Sequence, residues 1–213
     1  MAMKKLILLS FLMMSISLSI NAQKTEFGIK AGYNLADLRG STIFNEFQSG
    51  FSAGFFFDYQ LKEQWWIQPE LLLSNQGGKS NRNADFGIDV TNDAKIESQI
   101  QLSYLNLPLM LKYYPFKSFY AEFGPQIGLL IDSQYTRMSS NEFEKEDLTR
   151  IFERTKNDFD LGLNFGLGYK FDFGLRITAR YNFGLTKITD DRVFYIRNLK
   201  NSVFSLMLGY SLF

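Results

Sequence analysis

Residues 165–185 read FGLGYKFDFGLRITARYNFGL and alternate bulky apolar side chains with small, polar or charged ones. Successive side chains of a β-strand point to opposite faces of a sheet, so each strand here has one apolar face and one face of glycine, asparagine, lysine and arginine. In a water-soluble protein the apolar face would line the core, whereas in a membrane barrel it would face lipid. The class of protein therefore depends on which face is inside.

The same alternation recurs along the chain and predicts eight strands. They are expected near residues 27–35, 50–59, 65–74, 103–113, 119–131, 159–169, 173–185 and 203–212. Most of these spans reach the roughly 9–11 residues that a tilted strand needs to cross a bilayer. The predicted fold class is all-β, an eight-stranded antiparallel up-and-down transmembrane β-barrel.

The volume of such a barrel indicates which face is inside. Its interior is just wide enough to be filled by side chains, so it cannot hold the many large residues of the apolar face. The opposite face contains the glycines of the strands and a few long charged side chains. We therefore expect the apolar face to contact lipid and the polar face to line the lumen.

The charged residues of the inward face predict a lumen network. They are Lys30, Asp58, Glu70, Lys112, Glu122, Asp160, Arg176 and Arg180. Because four are acidic and four are basic, they are expected to pair across the narrow lumen and close it. Strand direction places Lys30, Glu70 and Arg180 at mid-height. A lower layer is expected to contain Asp58, Lys112, Glu122 and Arg176.

The connections between strands alternate in length. Long intervals near 36–49, 75–102, 132–158 and 186–202 alternate with short ones near 60–64, 114–118 and 170–172. Outer-membrane barrels have long extracellular loops and short periplasmic turns, so both termini are predicted to be periplasmic. Aromatic residues beside the short turns predict an interfacial girdle made of Trp65, Trp66, Tyr113, Tyr114, Phe119 and Tyr169.

The beginning of the chain has the pattern of a secretory signal peptide. Lys4 and Lys5 precede an uncharged apolar stretch over residues 6–20, which is shorter than a membrane-spanning helix, and Ala22 offers a cleavage point before Gln23. We therefore predict a removed signal peptide over residues 1–22 and one barrel domain over residues 23–213. Exported in this way, the protein would reside in the outer membrane of a Gram-negative bacterium.

Composition excludes several classes of function. Without Lys4 and Lys5, 21 of the 23 basic residues remain against 22 acidic ones, a formal charge of −1 that favours no nucleic-acid partner. The chain contains no cysteine and no histidine, which removes thiol chemistry, the commonest general base and the commonest metal ligand. We therefore expect no cofactor, no metal and no enzymatic activity. The adjacent acids Asp190 and Asp191 could still bind a cation, but solvated loop acids are the more common case.

Two further features require an explanation. Pro69, Pro108 and Pro125 lie inside predicted strands, where each removes a ladder donor, so bulges or local widening of the barrel are expected there. Residues 139–152 place apolar side chains at helical spacing after a serine cap, which is compatible with a short amphipathic helix or with a mobile loop.

One segment resembles a known family. Tyr104-Leu105-Asn106-Leu107-Pro108-Leu109-Met110-Leu111-Lys112 is similar to the Y-L-x-(I/L)-P-L-(L/M)-(L/V)-K segment of outer-membrane β-barrel proteins of Bacteroidota, called porin-family or PorT-like proteins. The opening strand, from Phe27 to Asn34, resembles their G-(I/V)-K-x-G-x-N beginning. The resemblance implies an eight-stranded outer-membrane barrel and assigns no catalytic residues. It also implies insertion by the barrel-assembly machinery, for which Phe213 would be the expected terminal aromatic residue.

Two classes of function remain open besides an enzyme. The first is a barrel with a charge-plugged lumen that serves as a structural or binding module, with extracellular loops that meet an envelope or extracellular ligand. The second is a narrow small-solute channel similar to a porin. A selective pore is expected to carry one dominant sign of charge, so the mixed signs favour the first class.

Overall fold

The computed structural model describes residues 24–40, 46–83, 95–138, 156–188 and 199–213. The predicted signal peptide, the pair Asp190 and Asp191 and the segment 139–152 lie outside the described residues. Among the residues that are described, no helix is long and apolar enough to cross a membrane.

Eight antiparallel strands form a closed barrel, as predicted. They are β1 (Thr25–Arg39), β2 (Glu46–Lys62), β3 (Trp65–Asn83), β4 (Lys95–Tyr113), β5 (Phe119–Met138), β6 (Phe159–Lys170), β7 (Leu175–Gly184) and β8 (Lys200–Ser211). Each strand pairs with the next one in sequence, and β8 pairs with β1 to close the barrel. Short connections join β2 to β3, β4 to β5 and β6 to β7, and we call that side the short-turn end. The opposite side is called the loop end.

Alternation of side chains explains both faces of the wall. In β6 and β7 the apolar pairs Leu163↔Phe183 and Phe165↔Tyr181 lie outside, whereas Gly166↔Arg180 lies inside. Large apolar side chains are exposed on every strand, for example Phe51 at 69%. A continuous apolar belt of this extent is tolerated only by lipid, so the fold answers the question raised by the alternation.

The turn between β6 and β7 depends on a glycine. Gly174 has a φ of 93°, in the region that other residues rarely adopt. Its N–H donates to the Phe171 carbonyl at 3.1 Å, and the Phe171 N–H donates to the Leu175 carbonyl at 2.8 Å. The turn is therefore tight enough to connect two strands that are directly paired.

The three prolines are accommodated without bulges, which corrects that part of the expectation. Register is the same on both sides of Pro108, because the pairs Pro69↔Leu109 and Leu72↔Asn106 belong to one ladder. Only the pairing between them is interrupted, since proline has no N–H to donate. Pro125 likewise pairs with Leu163 in an unshifted ladder. Register shifts occur elsewhere, between Phe47 and Ser52, between Gln60 and Lys62, and between Ser103 and Tyr104.

The end of the chain completes the seam between β8 and β1. The Phe27 N–H donates to the Phe213 carbonyl at 2.9 Å, and the Leu212 N–H donates to the Phe27 carbonyl at 2.8 Å. The Phe213 ring stacks on the Phe27 ring with centroids 5.5 Å apart. The terminal aromatic residue therefore packs on the outer surface at the short-turn end.

An apolar cluster fills the inside of the barrel at the loop end. It contains Leu38, Ile100, Leu102, Tyr104, Ile188 and Leu199, all buried. Only glycine, polar and charged residues were expected on the inward face, so this cluster corrects the expectation. Leu38, Ile100 and Leu102 lie where the strands extend beyond the predicted spans, whereas Tyr104 lies within the predicted span 103–113 and has the inward parity.

Candidate functional site

The lumen contains a central cluster of four charged residues, Lys30, Glu70, Glu122 and Arg180. The Glu70 carboxylate accepts from Lys30 Nζ at 2.7 Å and from Arg180 Nη1 and Nη2 at 2.8 and 2.7 Å. Arg180 Nε donates to Glu122 Oε1 at 2.7 Å. All four residues are buried, so each charge depends on its partners for stabilisation.

A second group of charges, the lower cluster, lies nearer the short-turn end. Asp58 binds Arg176 and accepts from Lys112 Nζ at 3.3 Å. Arg176 Nη2 also donates to Glu26 Oε2 at 2.7 Å, and Glu26 binds Lys170 as well. The lower cluster therefore consists of two carboxylates and three cations.

Gln68 connects the two clusters. Its Oε1 accepts from Lys112 and, at 3.3 Å, from Arg176, while its Nε2 donates to Glu70. The amide is fully buried and supplies an acceptor to one cluster and a donor to the other. The charges thus form one connected network of four acids and five bases across the lumen.

Aromatic rings occupy the space between the charges. The Phe56 ring lies 4.3 Å from Arg176 Cζ and 5.7 Å from Lys30 Nζ, while the Tyr120 ring lies 4.6 Å from Lys112 Nζ. These three distances, and the burial of the cations and rings, suit cation–π contact. Glycines on neighbouring strands make room for the rings, since a Cβ on Gly28 would lie 2.2 Å from Phe56 Cζ.

The structure places two predicted network residues differently from the expectation. Glu122 pairs with Arg180 in the central cluster and not with the lower layer. The register explains this, because Glu122 and Arg180 both lie opposite Gly166 on the intervening strand. Asp160 lies apart from both clusters and accepts from Asn201 Nδ2 at 2.9 Å and from Thr186 Oγ1 at 2.7 Å. Among the described side chains, no cation lies within 4.0 Å of Asp160.

Three members of the network were missed from the sequence. Glu26 in β1 lies one residue before the predicted span 27–35, and Lys170 in β6 lies one residue after the predicted span 159–169. Continuing the alternation by one residue would have placed both inside, because Glu26 has the parity of Gly28 and Lys170 that of Gly168. Gln68 has the inward parity, but nothing in the sequence indicated its contacts with both clusters.

A neutral polar layer lies between the central cluster and the loop end. Asn182 Nδ2 donates to Asn164 Oδ1 at 3.0 Å, and Asn164 Nδ2 donates to Gln126 Oε1 at 3.1 Å. These side chains line a cavity of about 20 Å³ that Arg180 bounds on one side. A cavity of this size accommodates about one water molecule.

The predicted aromatic girdle divides between the two faces. Trp65, Phe119 and Tyr169 are exposed on the lipid face, and Tyr113 is half-buried with its ring 4.7 Å from that of Trp65. Trp66 is only 9% exposed and lies on the lumen side, because it follows Trp65 directly on the strand.

Tyr114 also belongs to the lumen side, so it and Trp66 correct the girdle prediction. Its ring centroid is 6.2 Å from that of Trp66 and 5.2 Å from that of Tyr120. Burial raises the pKa of the Tyr114 hydroxyl well above its usual range, and the nearby Asp58 carboxylate acts in the same direction. Tyr114 and Trp66 therefore cover the lower cluster from the short-turn end.

The charged side chains described in the lumen are engaged in ion pairing and packing. Within the described ranges, no three histidine, cysteine, aspartate or glutamate side chains are grouped to hold a metal ion. The carboxylates of both clusters are bound to lysine, arginine and glutamine. A closed barrel with a lipid-facing belt and a paired ionic interior defines an outer-membrane type of β-barrel.

The chain belongs to the outer membrane protein beta-barrel domain family, whose match covers residues 21–190. No curated protein is similar enough in sequence to count as a match. Among solved structures, Neisserial surface protein A (NspA) is similar with a TM-score of 0.50 and 13% identity, covering 89% of this chain and 99% of that one. At such identity the likeness shows the shared fold alone.

Two other small barrels are similar over most of their length. Ail, the attachment invasion locus protein of Yersinia pestis, has a TM-score of 0.46 and 12% identity, covering 89% of this chain and 99% of Ail. Outer membrane protein W of E. coli has a TM-score of 0.38 and 16% identity, covering 90% of this chain and 100% of the other.

Proposed function

We propose that this protein is a closed, non-conducting outer-membrane barrel that serves as a structural or binding module. The observation that carries the proposal is the filled lumen. Two linked ion clusters, the rings of Phe56 and Tyr120 and the apolar cluster at the loop end occupy the interior in succession. A solute would have to displace buried ion pairs and apolar packing on one path.

A narrow small-solute channel is the alternative, and the fold is compatible with it. Opening such a channel would require the Arg180 guanidinium to leave both Glu70 and Glu122. Liposome swelling in arabinose separates the two functions. Vesicles that contain the refolded protein should swell no faster than empty ones, whereas swelling in proportion to the amount of protein would establish the channel.

The binding role is assigned to the long connections at the loop end. They join β3 to β4, β5 to β6 and β7 to β8, with the shorter connection 40–45 between β1 and β2 beside them, and the closed wall keeps their ends in fixed positions. Crosslinking on intact cells tests the role when the full chain is compared with a variant in which residues 84–94 are replaced by a short turn. Crosslinked species lost in the variant would support loop binding, and identical species in both would contradict it.

We further propose that the module is not an enzyme. The chain has no histidine and no cysteine, and the buried carboxylates of the described lumen are engaged in ion pairs or hydrogen bonds. Outer-membrane hydrolases mostly use an activated nucleophile with a base beside it. Turnover of phospholipid, ester or peptide substrates by the purified protein would overturn this part of the proposal.

We also assign the chain to the PorT-like proteins of Bacteroidota, with export and insertion as its route to the membrane. The segment Tyr104–Lys112 and the opening strand support the assignment, and the apolar start of the sequence supports removal of residues 1–22. Membrane lipid and the barrel-assembly machinery are then its first partners. The intact mass of the protein isolated from outer membranes should correspond to a chain that begins at Gln23.

A further inference from the structure

Two cations lie side by side on the outer wall of the barrel at the loop end. Arg39 ends β1 and Lys200 begins β8, and the two residues are directly opposite in the ladder. Both have the parity of the lipid-facing residues. Leu35 and Phe204, which are opposite each other in the same ladder, lie on that face four residues nearer the short-turn end. Like charges directly opposite on one face of a sheet repel each other.

A comparable pair inside the barrel shows how such repulsion is relieved. Lys170 and Arg176 are also directly opposite in the ladder, and both bind the carboxylate of Glu26. Around Arg39 and Lys200, the described side chains place no carboxylate within 4.0 Å of either cation. Asp37 shares the face, but it accepts from the Leu38 N–H at 2.7 Å and pairs with neither cation. Among the described residues, the outer pair therefore has no anionic partner.

The Arg39 side chain is held in position at the edge of the apolar belt. It crosses β8, places its Cζ 3.6 Å from the centroid of the lipid-facing Phe183 ring, and donates from Nη2 to the Gly184 carbonyl at 2.8 Å. Its Nε is buried and has no hydrogen-bond partner. Among the described residues Nη1 has no acceptor, so the guanidinium keeps an unused donor group at the loop-end edge of the apolar belt.

We propose that Arg39 and Lys200 bind the phosphate of an anionic outer-leaflet lipid whose acyl chains lie along Phe183 and Phe204. A phosphate offers the oxygens that the two cations lack, and arginine binds phosphate well because its donors form a planar fork. The apolar belt directly below distinguishes a lipid from a free anion, because only a lipid satisfies both surfaces. This site lies on the wall of the barrel and is independent of the lumen and of the loops.

Native mass spectrometry of the refolded full chain in uncharged maltoside micelles tests the proposal. The probe is lipid A bearing two phosphates, compared with its dephosphorylated form. Arg39→Gln and Lys200→Gln should each weaken binding of the phosphorylated probe about tenfold, the usual effect of losing one hydrogen bond to a charged group. Lys117→Gln is the matched control, because this exposed cation lies at the short-turn end.

Three results would overturn the proposal. One is unchanged affinity in both Arg39→Gln and Lys200→Gln, provided that each still shows the gel shift of a folded barrel. Another is an equal loss in Lys117→Gln, which would indicate attraction to charge in general. The last is displacement of the lipid by millimolar inorganic phosphate, which would indicate a site for a free anion.

Discussion

At the scale of the residue, Glu70 binds two cations in the central cluster, whereas Glu122, the other carboxylate there, binds one. Glu70 binds Lys30 and Arg180, and Gln68 donates to it from the lower cluster. Burying charges is costly, and the cost is recovered only while the partners remain in place. Removing one member of a buried ion pair is therefore expected to lower the free energy of unfolding more than removing both members.

Glu70→Ala should lower the free energy of unfolding by about 3–5 kcal/mol, because Lys30 and Arg180 would lose their carboxylate in a buried site. The double variant with Lys30→Ala should recover part of that loss, because Arg180 would keep Glu122 as its carboxylate. Urea unfolding in detergent micelles, followed by tryptophan fluorescence, measures both. Lys117→Ala removes an exposed ion pair with Asp172 and serves as the control that should leave unfolding unchanged. Strictly additive losses in the double variant would contradict the coupling.

At the scale of the element, the alternation of apolar and polar residues predicts the two faces of each strand. Alternation alone predicted the eight strands and the outward side of residues such as Leu163 and Phe165. It did not predict which charges meet, because Glu122 and Arg180 pair only through a register that aligns both with Gly166. It also did not predict the inward Leu38 and Ile100, since the strands continue beyond the predicted spans.

The lipid face of β6 allows a test of depth along one strand. Leu163→Arg, near the middle of the apolar row, should cost about 2–4 kcal/mol in the free energy of unfolding. Phe159→Arg lies on the same face at the loop end and should cost only about 0–1 kcal/mol, because an interfacial cation reaches water. Unfolding of each variant from phospholipid vesicles measures the difference. Equal costs at both positions would show that β6 does not cross a bilayer in this orientation.

At the scale of the whole molecule, closure of the barrel fixes the interior and separates the two ends. The family and the closed topology establish the type of barrel, whereas its orientation in the membrane is a prediction from the lengths of the connections. The sequence predicted which connections are the longer ones but not their lengths, because the strands continue past the predicted spans and shorten the intervals 36–49 and 75–102 to 40–45 and 84–94. It could not predict how completely the lumen is filled, since that depends on rings such as Phe56 and on the glycines that face them.

The chain contains no cysteine, so single cysteines report orientation without interference. A cysteine at Asn83, the loop end of β3, should react with an impermeant maleimide on intact cells. One at Lys117, between β4 and β5, should react only after the outer membrane is opened. Labelling at Lys117 together with protection at Asn83 would mean that the barrel has the reverse orientation.

Ion conductance is the most direct measure of whether the lumen is closed. In planar bilayers the unmodified protein should give no reproducible single-channel steps, while Glu70→Ala should leak because it leaves Lys30 without its carboxylate and Arg180 held by Glu122 alone. Lys117→Ala should be as silent as the unmodified chain. Steady, reproducible steps from the unmodified protein would contradict the plugged lumen and establish the small-solute channel in its place.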